Sequence, residues 1–218
     1  MRTLKNIYSL LLIAVASFGM ISCDNDDNNG MLNPPEEITT DVVWGDFTGN
    51  VLMTPIEKEE GNEGLTITAK VENDTIIFDD FPIKDIVLSI VKDEETANEI
   101  VELVGKINYK IGYEPELSEQ KDLVSLTLDP KPLDLSVNIP IGNEGEITPL
   151  LVRVKIEATG TNDSYIVESM NLNFKFIVRE ILIGSKDTDM AEIEGFVPLF
   201  FDFDMTEKKN NHIYYFLK

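Results

Sequence analysis

The chain reads as a mainly β protein, an antiparallel meander forming a β-sandwich or partly open barrel, with one helical insertion at about residues 82–105. Three observations predict this. Apolar residues recur at every second position through most of the chain, which is the period of a half-buried strand. The alternating stretches are separated by short runs of Gly, Pro, Asn and Asp. In one region only does the spacing change to that of a helix.

Taken in order, strands begin near Trp44. Leu65, Ile67, Ala69 and Val71 alternate with polar residues, and Thr75–Phe78 follows directly on Asn73-Asp74. Alternation on both sides of a two-residue polar turn predicts a hairpin. The helical region holds Ile83, Ile86, Val87, Ile90 and Val91 at helical spacing, with Pro82 expected at the first helical position. Ala97, Ile100, Val101 and Val104 repeat the spacing until Gly105, so two short helices or one broken helix are expected, split near Lys92-Asp93-Glu94. The helical part is expected to cover one end or edge of the sheet.

Strands resume after Gly105. Val124, Leu126 and Leu128 alternate, Asp129-Pro-Lys-Pro132 turns the chain, and Leu133 to Ile141 gives the cleanest strand pattern of all. After Gly142-Asn-Glu-Gly145, Val152, Val154, Ile156 and Ala158 alternate up to a turn at Thr159–Asp163. Leu172, Phe174, Phe176 and Val178 form the next strand; Val197, Leu199, Phe201 and Phe203 and then Ile213–Leu217 follow.

The organisation is expected to be threefold. Residues 1–22 have two early positive charges, an apolar run and small residues before a cysteine, the parts of a secretory signal peptide. At roughly 15 residues the run falls short of the ~20 that a spanning helix needs. Met20-Ile21-Ser22-Cys23 resembles a bacterial lipobox, so Cys23 is the candidate lipidation site, carrying palmitate-type chains that hold the protein to a membrane. Residues 23–43 read as an acidic, proline-containing tether, and residues 44–218 as a single β-rich domain of ordinary size. Setting Asn25 first places Asp27, Asn29, Gly30 and Glu36 at calcium-loop positions, but Pro34-Pro35 would block the exiting helix.

With 18 basic residues against 40 acidic, the formal charge is −22. Such a surface repels phosphate backbones, so nucleic acid is not an expected partner. Cys23 is the only cysteine, which leaves no disulfide within the chain.

The acidic run Asp24–Gly30 resembles the export signal of Bacteroides-type surface lipoproteins. Phe47-Thr-Gly-Asn-Val51, Asp80–Glu95 and Ile107-Asn-Tyr-Lys-Ile-Gly-Tyr113 resemble, in that order, an uncharacterised group of such lipoproteins carrying a domain of unknown function, over roughly residues 45–183. The resemblance implies an outer-membrane, lipid-anchored protein at the cell surface, and it carries over no site residue.

Catalytic candidates are few. The only histidine, His212, stands beside Tyr214 and Tyr215 and reads as a strand residue, so no Ser–His or Cys–His set is available. No cofactor, zinc or nucleotide-phosphate motif is present. Asp202 and Asp204 flank Phe203 and are expected on one face of a strand, where they are the candidate calcium ligands or acid–base pair. Trp44, Tyr109, Tyr113, Tyr165, Tyr214 and Tyr215 are the rings available for stacking on a sugar. Asp74-Thr75-Ile76 resembles the O-glycosylation pattern of the same bacterial group, making Thr75 a candidate modification site.

The expectation is therefore a non-enzymatic binding or structural module, with a glycan or an envelope protein as its partner. The alternatives are a glycan-binding accessory of a surface uptake complex, a carboxylate-dependent hydrolase with one desolvated acid, and a barrel with a cavity for a lipid-like ligand.

Overall fold

Strand alternation resolves into a closed barrel. The computed structural model describes residues 37–56, 64–141, 146–160, 162–186 and 189–208. A short 3-10 helix (Thr40–Val43) leads into β1 (Gly45–Pro55), β2 (Leu65–Glu72) and β3 (Thr75–Phe78). Two helices follow, α1 (Lys84–Val91) and α2 (Glu94–Val104). Then come β4 (Tyr109–Leu117), β5 (Leu123–Pro130), β6 (Leu133–Ile141), β7 (Glu146–Ala158), β8 (Ser164–Ile166), β9 (Asn171–Gly184), β10 (Ala191–Glu192) and β11 (Leu199–Glu207).

The strands pair antiparallel in the order β11-β1-β2-β3-β4-β5-β8-β9, and β9 pairs back to β11, which closes eight strands into a barrel. A simple meander would pair each strand with the next. Here β11, last of the described strands, fills the gap between β1 and β9. The 14-residue β9 serves two neighbours along one edge: its first residues pair with β8, and its later ones with β7. β6 joins the far side of β7, so β6, β7 and the second half of β9 extend the sheet past the barrel.

Inward residues come from the alternation and are dominated by phenyl rings. An eight-stranded barrel is just wide enough for side chains to fill. Phe174 and Phe203 stack at 4.4 Å, and Phe176 and Phe201 at 5.0 Å. Phe78 joins the first pair, 5.4 Å from Phe203. Nearer the start of β1, Phe47 meets Tyr165 edge-on at 6.1 Å. Each buried phenyl contributes about 1.5–3 kcal/mol through water removal alone.

Phe78 and Tyr109 are register partners, so the chain leaves and re-enters the barrel at one end and the helices lie over that end. Phe81, Ile83, Ile86, Val87 and Ala97 are buried there as part of the same core, with the Phe81 ring 5.7 Å from Phe201. The helical segment breaks where the sequence predicts. Lys92 takes a left-handed conformation after α1, and Asp93 caps α2 by accepting from the Thr96 N–H at 2.8 Å and the Thr96 hydroxyl at 2.6 Å. Pro82 is not the first helical residue: Ile83 intervenes as the N-cap and Lys84 begins the helix. Asp93→Ala is expected to lower stability through loss of the cap, read as a shift of the urea midpoint at unchanged slope.

β4 holds a proline, Pro115, inside a strand. Its register partner is Leu126, whose N–H points away to the Asp163 carbonyl, so the Pro115 nitrogen likewise faces away from β5. On that side β3 pairs only as far as Gly112, and no ladder bond is lost.

Candidate functional site

Cys23, the Asn25–Glu36 stretch, His212, Tyr214 and Tyr215 lie outside the described residues. Thr75 opens β3 directly after Asn73 and Asp74, both at positive φ (49° and 53°). That pair makes the expected two-residue turn, of the kind whose twist matches the flanking strands. Thr75 is half-buried, and its hydroxyl donates to the Asn73 carbonyl at 3.2 Å.

Asp202 and Asp204 sit where alternation predicts, on the outer face of β11 with Phe203 buried between them. Both are already engaged. Asp202 accepts from the Lys175 ammonium at 2.5 Å, and Asp204 from the Asn171 amide at 2.7 Å. Among the described residues, no three His, Cys, Asp or Glu side chains come together as a metal-holding group. The aromatic set is dispersed: Tyr109, Tyr113 and Tyr165 are buried, whereas Trp44 is 40% exposed. Tyr109 turns its hydroxyl to the Lys131 carbonyl at 2.7 Å, and burial pushes its ionisation upward. These three tyrosines do not offer a sugar-stacking platform. The phenyl stacks occupy the interior that a lipid-like ligand would need.

The one described carboxyl group that is buried, Asp163, is 5% exposed and lies at a break in the barrel wall. β7 pairs with β9 up to Ala158↔Phe176, and β8 resumes at Ser164↔Asn173. In between, β9 has no strand beside it, and the peptide group of Lys175 would be left bare. Two side chains take the place of the strand. The Asp163 carboxylate accepts from the Lys175 N–H at 2.7 Å, and the Thr159 hydroxyl donates to the Lys175 carbonyl at 3.4 Å. The Asp163 carbonyl meanwhile accepts from the Leu126 N–H at 2.8 Å and carries the β5–β8 ladder one step further. Burial pushes the Asp163 carboxyl up to about 6, against the Lys175 contacts that favour its charge, while Asp202 adds a smaller push in the same direction as burial.

A raised acid near a second carboxylate is half of what a carboxylate hydrolase requires. Here the Lys175 ammonium holds Asp202, and Asp163 is committed to main chain. Sequence reasoning reads Asp163 only as the last residue of a turn; nothing in the local pattern signals that its partner lies twelve residues on.

Fold and side chains together define an antiparallel eight-stranded barrel with a helical pair over one end and a seam sealed by a buried acid. The chain belongs to the family defined by a domain of unknown function (DUF4840), whose pattern matches residues 42–183. No curated protein and no solved structure matches it. The matched span holds β1 through nearly all of β9, and β11, the strand that closes the barrel, lies beyond it.

Proposed function

We propose that the protein is a lipid-anchored lipoprotein of the outer membrane, exposed at the cell surface, where the barrel serves as a non-enzymatic binding or structural module. The observation that carries this reading is Met20-Ile21-Ser22-Cys23 at the end of an apolar run, followed at once by Asp24–Gly30. Lipid on Cys23 supplies the membrane attachment, since a chain of charge −22 gains nothing from an anionic surface. The engagement of Asp163 in holding main chain supports a binding or structural role over a hydrolytic one. The partner is a glycan or an envelope protein, and Thr75, the first residue after the β2–β3 turn, is the proposed site of an O-linked glycan.

Protease shaving of intact cells, with mass spectrometry of the released peptides, tests the location. Peptides from residues 44–208 are expected in the supernatant of intact cells, and Cys23→Ala is expected to free the protein from the membrane fraction. Protection in intact cells with cleavage after lysis would place the barrel in the periplasm and end the surface reading. The same spectra read the mass of the peptide containing Thr75.

A further inference from the structure

We propose that Asp163 is a proton-dependent fastener of the barrel wall, holding β9 to the joint between β7 and β8 when its carboxyl is neutral and loosening that joint when it is ionised.

The geometry carries the case. Two strands that share one edge of β9 fail to meet, and the gap is spanned by side chains rather than by a ladder. The bonds to Lys175 at 2.7 Å and 3.4 Å are the described links between β9 and that edge from Phe174 to Lys175. A side-chain amide could accept from the Lys175 N–H just as well and would never ionise. The carboxyl at this position adds one property to the joint, which is sensitivity to pH.

The surroundings fix the direction. The charged groups facing Asp163 are Lys175 on β9 and Asp202 on β11, and they hold each other at 2.5 Å, so their fields largely offset. On β5, Leu126 donates to Asp163 and is flanked by Ser125 and Thr127, neither charged. β8 continues with Ser164, and the end of β7 carries Glu157, paired with Arg179 at 3.0 Å. Burial therefore outweighs the bond accepted from the Lys175 N–H, and the ionised carboxylate is the form that gains by reaching water.

Because the carboxyl sits at about 6 in the fastened state against 3.8 when free, fastening takes up a proton. The stabilisation is fully present below the free value and is lost as pH rises through about 6. Between about pH 5 and about pH 7.5 the opening equilibrium of the joint is expected to rise about tenfold.

Hydrogen exchange of backbone amides in the purified full-length protein, corrected for the intrinsic pH dependence of exchange, reads this directly. In the wild type, protection of the Lys175 amide is expected to fall about tenfold over that range, while the Val178 amide, on the opposite edge of β9 facing β11, stays constant. Asp163→Asn is expected to hold Lys175 protection constant across the range, and Asp163→Ala to lose it at both pH values. Unchanged or rising protection of Lys175 in the wild type would overturn the proposal. So would an equal fall at Lys175 and Val178, which reports global stability, or an Asn variant that follows the wild type.

Discussion

Phe203→Ala is expected to remove about 3–5 kcal/mol of stability, the range for deleting a phenyl ring from a well-packed core. The ring is fully buried on the strand that closes the barrel. It stacks at 4.4 Å on Phe174 and lies 5.4 Å from Phe78 and 5.3 Å from Phe176, so its loss opens a cavity bounded by three other rings. Those rings come from two other strands, β9 and β3, held by the ladder, and the walls cannot simply move in. Against a typical total of about 5–15 kcal/mol, the loss consumes roughly a fifth or more of the folded state's margin. The neighbouring Asp204→Ala, on the outer face, is expected to cost no more than about 1 kcal/mol for its exposed bond to Asn171. Urea unfolding of the two variants separates them. A double-mutant cycle with Phe174→Ala should show coupling of about 0.5–1.5 kcal/mol from the stacked pair. A loss at Phe203 as small as that at Asp204 would mean the interior does not behave as a packed core.

How far the sequence carries is decided by whether the information is local. β3 at Thr75–Phe78 and β6 at Leu133–Ile141 have the bounds their alternation predicts, because a two-residue period and flanking turn residues are read within ten positions. The helix break at Lys92-Asp93 is legible for the same reason: a cap is a contact over three residues. Closure is not. A sandwich and a barrel present the same alternation, and the choice rests on β11 pairing with β1 about 150 residues earlier. β8 escapes notice because three residues carry too little pattern, and it exists through its pairing to β5 and β9. Asp163 is the clearest case. Thr159–Asp163 has the composition of a turn, and the role of the carboxyl depends on the strand break between Ala158 and Ser164, opposite Lys175. The outward placement of Asp202 and Asp204 was legible, whereas Lys175, which engages Asp202, comes from a different strand.

Gly49→Ala is expected to be as damaging as removing a phenyl ring, by the opposite route. Gly49 lies in the middle of β1, opposite Met205 on the closing strand β11. A Cβ at this position would stand 2.1 Å from the Asp204 carbonyl oxygen and 2.5 Å from the Met205 Cα. Both obstacles are main chain, so no side-chain rotamer can relieve them. The strands must separate at the seam that completes the barrel, stretching ladder bonds on either side. Overpacking a core usually costs about 1–3 kcal/mol when side chains can shift, and a clash with paired backbone is expected at or above the top of that range. Gly112→Ala supplies the comparison within the same barrel. Its added Cβ would meet only the Asp129 carbonyl, at 3.9 Å, an ordinary contact. There the methyl group is tolerated, and the reduced freedom of the unfolded chain should leave stability unchanged or raise it by up to about 1 kcal/mol. Thermal and urea unfolding of the two alanine variants therefore should diverge in sign or nearly so. Equal behaviour would mean that β1 and β11 do not approach at Gly49 as closely as the barrel requires, and that the seam is looser than the rest of the wall.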